Sequence, residues 1–167
     1  MLGIALITLV AVSVVLSAIN SIKVAEGIGM AEEARVFSIV SLSGIALILG
    51  LIAVAIRFIH KPDFHRRLMT LSFVPLLEAP MARPYMVLLS PPDAVGPPPV
   101  YVTVLSSLTI NLIIIAMLVY DRRTLGKFHP ATVWGGLSIV AVQALCLPLS
   151  GTPVWMAIAR FVESLAG

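Results

Sequence analysis

The sequence predicts an all-α integral membrane bundle of five transmembrane helices with a short C-terminal amphipathic helix. Three observations carry this reading. Hydrophobic residues make up 59% of the chain and charged residues 11%, against roughly half and a quarter in a soluble domain. Mean hydropathy is +1.07. The apolar residues gather in runs close to the roughly 20 residues that cross a bilayer core, with the basic residues in short loops between them. A chain of 167 residues cannot hide so much apolar surface in water. This excludes a soluble enzyme and a disordered chain, and the length fits a single domain.

The spans follow in order: 2–22, 36–59, 68–90, 100–120 and 132–149. Each is read as a helix, because an isolated strand leaves its backbone unsatisfied in lipid. The first lacks a basic n-region and an A-x-A site, so it reads as a retained helix rather than a signal peptide. The loop after the second span holds Arg57, Lys61, Arg66 and Arg67, and the loop after the fourth holds Arg122, Arg123 and Lys127. By the positive-inside rule these face the cytoplasm. The expected site is a bacterial inner (plasma) membrane, with the N-terminus cytoplasmic and the C-terminus outside. Tyr101, Tyr120 and Trp134 fall at span ends, as interfacial anchors do. The pI near 9.4 does not indicate nucleic acid, because the basic residues form no continuous face.

Between the third and fourth spans lies SPPDAVGPPPV, with Pro91, Pro92, Pro97, Pro98 and Pro99. Such a stretch cannot be helical and predicts a stiff external cap. At the C-terminus Pro153 suits a first helical turn. Val154, Trp155, Ile158, Phe161, Val162 and Leu165 then share one stripe. Helix 153–166 rises about 21 Å. It is expected on the outer surface as an interfacial helix, the rival being a half-helix tucked under the proline-rich loop.

The third span is the most informative. It carries Glu78, Arg83 and prolines 75, 80 and 84. Ionisable groups at membrane depth face a protein interior or a wet cavity, and three prolines predict a kinked or broken helix. Five residues apart, Glu78 and Arg83 point about 140° from each other on an ideal helix. Partners are therefore sought on other helices, at similar depth: Asn111 and Gln143. A cluster of Glu78, Arg83, Asn111 and Gln143 either locks the bundle by interhelical polar contacts or lines a ligand cavity.

His60, His65 and His129 belong to the basic loops. His65 and His129 are candidate ligands for a metal or haem iron, with Asp63 and Asp121 as hydrogen-bond acceptors behind them. The alternative is a role at helix starts. Ser13, Ser17 and Ser21, and Gly44 and Gly50 with Ser38, Ser41 and Ser43, read as small-residue packing faces. Cys146 reads as a buried apolar residue. The sequence contains no GxGxxG, P-loop, HExxH or CxxC pattern.

PDFHRRLM at 62–69, Arg83, and GKFHPATVWGG at 126–136 with Trp155 together resemble uncharacterised small multi-pass bacterial inner-membrane proteins. These carry a PD-x-H-K/R-R-L-M … R … G-x-x-H-P-A-T … W pattern. The resemblance implies that His65, Arg67, Arg83, His129, Pro130 and Trp155 matter, with His65, Arg83 and His129 acting together. It leaves Glu78 outside the pattern and implies no reaction.

The leading functional expectation is a non-enzymatic accessory subunit or assembly factor of a larger membrane complex, a respiratory one among the candidates. It would hold haem, quinone or lipid near His65, Arg83 and His129, or assemble with copies of itself. The alternatives are a small-molecule or proton-coupled transporter that uses Glu78, and an intramembrane lipid-modifying enzyme with a histidine at a lateral cleft.

Overall fold

The computed structural model describes residues 2–89 and 95–165, with side chains from residue 5. The described residues are helical throughout the bundle and contain no strand. The helices are α1 (Leu2–Glu26), α2 (Ala31–Arg57), α3 (Pro62–Phe73), α4 (Glu78–Leu89), α5 (Thr103–Leu125), α6 (Pro130–Ser150) and α7 (Pro153–Ser164). Four stretches are long and apolar enough to cross a membrane: Ala5–Glu26, Ala31–Arg57, Val100–Leu125 and Pro130–Ser150. Pro91 and Pro92 of the external loop, and residue 166 of the terminal helix, lie outside the described residues.

The third apolar run is not one helix. α3 and α4 are separated by a 3-10 turn at Pro75–Leu77, and each half has only 12 residues. Pro75 has no N–H to give the preceding turn. Tighter i→i−3 bonds take over, from Val74 N to Leu71 O and from Leu77 N to Val74 O, both 3.1 Å. Pro80 lies in the first turn of α4, where the N–H has no helical partner in any case. Pro84 lies inside α4 and deprives the Pro80 carbonyl of its donor. The break also changes neighbours. α3 packs on α2 and α6, whereas α4 packs on α5.

The main core lies at the end that carries the basic loops. Leu51 and Ala55 of α2, Leu68 and Leu71 of α3, Ile110 and Ile114 of α5, and Ile139 of α6 meet there. Gly135 and Gly136 let α6 into this space. A Cβ on Gly135 would stand 2.6 Å from Leu71 Cδ1, and one on Gly136 2.6 Å from Ile114 Cγ2. Close approach is therefore built on α6, while the expected stripes pack only in part: Ser38 is buried and Ser43 Oγ lies 3.3 Å from Cys146 Sγ of α6. Ser13, Ser17 and Ser21 are exposed, and Gly44 and Gly50 have no neighbour near a built Cβ. The inward face of α1 is instead Ala18, Ile19, Ile22 and Ala25. Their spacing matches helical periodicity just as well, and they offer the larger apolar area to bury.

α7 docks on α2 and α1. Trp155 Nε1 donates to the Arg35 carbonyl at 2.9 Å. Arg35 Nε and Nη2 reach the two carboxylate oxygens of Glu163 at 2.9 and 3.3 Å. The apolar stripe expected as a single face divides around Ala159, which is fully buried. Val154, Ile158, Phe161 and Leu165 stay exposed, while Trp155 and Val162 are partly covered. The cause is that the docking face runs through Trp155, Ala159 and Glu163, one helical turn apart.

Candidate functional site

Two polar regions are set into this apolar frame, one at each side of the Pro75 break. At the basic end the centre is Asp121 of α5, 1% exposed. Arg67 of α3 donates to its Oδ1 from Nε at 3.0 Å and from Nη2 at 2.7 Å. Thr132 of α6 donates to its Oδ2 at 2.5 Å. A carboxylate can be buried here because charge-assisted bonds surround it. Asp63, by contrast, pairs with Arg66 on the exposed surface at 2.9 Å.

The two histidines proposed as ligands have defined local roles. His65 Nδ1 lies 2.8 Å from the Ala55 carbonyl, so that nitrogen carries the proton. His129 caps α6, its Nδ1 accepting from the Ala131 N–H at 3.2 Å. The Phe64 ring meets the His129 imidazole edge-on, 4.6 Å between centroids. Burial holds the His129 imidazole below its ordinary pKa, and the positive charge of Arg67 adds to this. Among the described residues, no group of three or more His, Cys, Asp or Glu is placed to hold a metal ion.

Beyond the break, α4 leans on α5 and leaves a cleft of about 290 Å³ against α2 and α1. Its walls are largely apolar, with Val14, Phe37 and Ile45 facing Ala79 and Met86. Both Glu78 and Arg83 border it. They do so despite their angular separation because Ala82 lies between them on the wheel, about 40° from Glu78 and about 100° from Arg83. Its methyl blocks neither. Arg83 is exposed and makes no hydrogen bond or ion pair among the described residues.

Behind Glu78 lies a second, smaller space of about 20 Å³, lined by Ser43, Ser107, Gln143 and Cys146. Val40, Gly44, Pro75, Glu78 and Thr103 border both spaces. Glu78 thus stands in the partition. Ser107 Oγ donates to its Oε1 at 2.6 Å.

The four-residue cluster expected from depth therefore resolves into separate parts. Asn111 Nδ2 donates to Gln143 Oε1 at 2.9 Å. Glu78 pairs with Ser107, and Arg83 turns to the cleft. Gln143 reaches the smaller space beside Glu78, and Asn111 does not line it. Trp155 stands apart, at the docking face of α7. Sequence reasoning missed Thr103 and Ser107. Their signal was hydroxyl residues inside an apolar run, buried among Val102, Ser106 and Ile110. At the far end Pro97, Pro98 and Pro99 wall a groove of about 640 Å³ together with Glu32 and Glu33.

The chain matches no family model, no curated protein and no solved structure.

Proposed function

We propose that the chain is a membrane protein of five crossings, with α3 and α4 together making the third, and that it binds the head group of an amphiphile in the cleft beside α4. The amphiphile is a quinone or a lipid. The protein acts as a non-enzymatic accessory subunit or assembly factor of a larger membrane complex. The single observation that carries this reading is the cleft itself. It has apolar walls from three helices and a guanidinium at its edge. Ligand pockets combine such walls with a few polar groups that fix orientation. A guanidinium suits an anionic or carbonyl head group. The seven loop cations at one end favour a bacterial inner membrane with that end cytoplasmic.

The haem version of the reading has no such support, because neither His65 nor His129 lines this cleft. The same holds for a lipid-modifying enzyme that uses a histidine. Transport remains the second reading, favoured by the position of Glu78 between cleft and inner space. Native mass spectrometry of the protein extracted from its own membranes in mild detergent tests the proposal. A bound quinone- or lipid-sized mass is expected on the wild type and is expected to be lost in Arg83→Gln. A ligand retained by Arg83→Gln, or a wild type bare of any ligand, overturns it.

A further inference from the structure

The smaller space behind Glu78 has an unusual chemical bias. Ser43, Thr103 and Ser107 all line it, and each hydroxyl has one proton to give. All three protons are already placed. Ser43 Oγ donates to the Ile39 carbonyl at 2.5 Å, Thr103 Oγ1 to the Val100 carbonyl at 2.7 Å, and Ser107 Oγ to Glu78 Oε1. With its proton so placed, Ser43 Oγ accepts from the Cys146 thiol at 3.3 Å. What these oxygens retain is lone pairs. Glu78 Oε2 adds another acceptor, with no partner among the described residues.

Gln143 completes the set. Its amide bonds Asn111 through one atom and leaves the other buried and unpaired, as Asn111 does. The oxygen and nitrogen of such amides are interchangeable in placement. As placed, the free Gln143 atom is Nε2, a donor; exchanging both residues keeps the bond between them and presents Gln143 Oε1 instead. A chamber of oxygen acceptors with one carboxylate, and no cationic partner for it among the described residues, selects a hard monovalent cation. The space, about 20 Å³, has room for a small ion. The lining holds one carboxylate, Glu78, which balances one positive charge rather than two.

We infer that this chamber is a binding site for one sodium ion, with the Glu78 carboxylate as its charged ligand and Ser43, Thr103 and Ser107 as oxygen donors. This goes beyond the amphiphile reading and does not rest on it, because the ion lies on the inner side of Glu78 and Arg83 takes no part.

The test uses the full chain in mild detergent. Thermal unfolding is followed as sodium chloride replaces choline chloride at constant ionic strength, beside equilibrium binding of radioactive sodium. The expected result is saturable binding of one ion per chain and a Tm that rises with sodium but not with choline. Glu78→Gln abolishes both effects. Ser43→Ala keeps the carboxylate and weakens the apparent affinity several-fold. If Glu78→Gln does not fold, the wild type and Ser43→Ala still decide the matter. Equal melting in the two salts without saturable sodium binding overturns the inference. A stability that follows pH alone makes the chamber a proton site and overturns it too. Loss of sodium binding in Arg83→Gln would overturn the separation of the two sites.

Discussion

Arg67 sets both Nε and Nη2 on one oxygen of Asp121, at 3.0 and 2.7 Å, and so leaves the other oxygen to Thr132. One carboxylate thereby joins α3, α5 and α6. The pair is 54 positions apart in sequence, and the ring of donors around Asp121 replaces the water it loses.

Removing the carboxylate leaves a half-buried guanidinium with only Asp63, its carbonyl at 3.2 Å and its carboxylate at 3.8 Å. Arg67 has a side chain only 14% exposed. Asp121→Ala is expected to cost about 3–5 kcal/mol, the range for breaking a buried pair from one side. Lys127→Ala, on the exposed surface nearby, is expected to fall within about 0.5 kcal/mol of wild type. Detergent-solubilised unfolding of both variants measures the difference, and equal losses would refute the role given to Asp121.

His129 makes this end sensitive to acid. Its pKa is lowered in the fold by burial and then by Arg67, with Asp121 and Asp63 opposing. The unfolded chain therefore binds the proton more readily. Its contribution to stability is complete above the ordinary value of 6.5 and is lost as pH falls from there toward the folded value. Protonation also removes the Nδ1 lone pair that caps the Ala131 N–H. Tm measured from pH 8 to 5 is expected to drop more in wild type than in His129→Asn, which keeps a capping oxygen. Parallel curves would mean that another group titrates.

Gly135 and Gly136 press against partners of different stiffness. Ile114 meets the new Cβ with a methyl on its own branched Cβ, whereas Leu71 meets it with the end of a rotatable chain. Gly136→Ala is expected to cost about 1–3 kcal/mol as overpacking, and Gly135→Ala less. Tm values of the two variants decide it; a larger loss at Gly135 would show that Leu71 has no room to turn.

The sequence shows the helices because their signal is local. Run length and hydropathy alone mark α1, α2, α5 and α6, and three prolines mark the break between α3 and α4. Depth along neighbouring spans brings Asn111 to Gln143, since residues at one level on adjacent helices can meet. What depth does not contain is rotation about each helix axis. That rotation gives Glu78 to Ser107 rather than to Asn111, and it turns Ser13, Ser17 and Ser21 outward. Arg67 and Asp121 were both legible as residues of the basic end, but their pairing across 54 positions follows from the packing of helices distant in sequence. The hydroxyls of Thr103 and Ser107 were hidden for a related reason: one buried hydroxyl in an apolar run is indistinguishable from a helix-packing residue until its proton acceptor is known.

The change of neighbours at Pro75 divides the molecule mechanically. Below it, α3 is clamped by α2, α6 and the Asp121 junction. Above it, α4 is a cantilever, propped along one side by α5, where Tyr85 and Thr109 share a 2.7 Å bond, and bordered on the other by the cleft. Pro84 softens that beam by one missing hydrogen bond. The cleft beside Arg83 is therefore edged by the less supported half of the third apolar run.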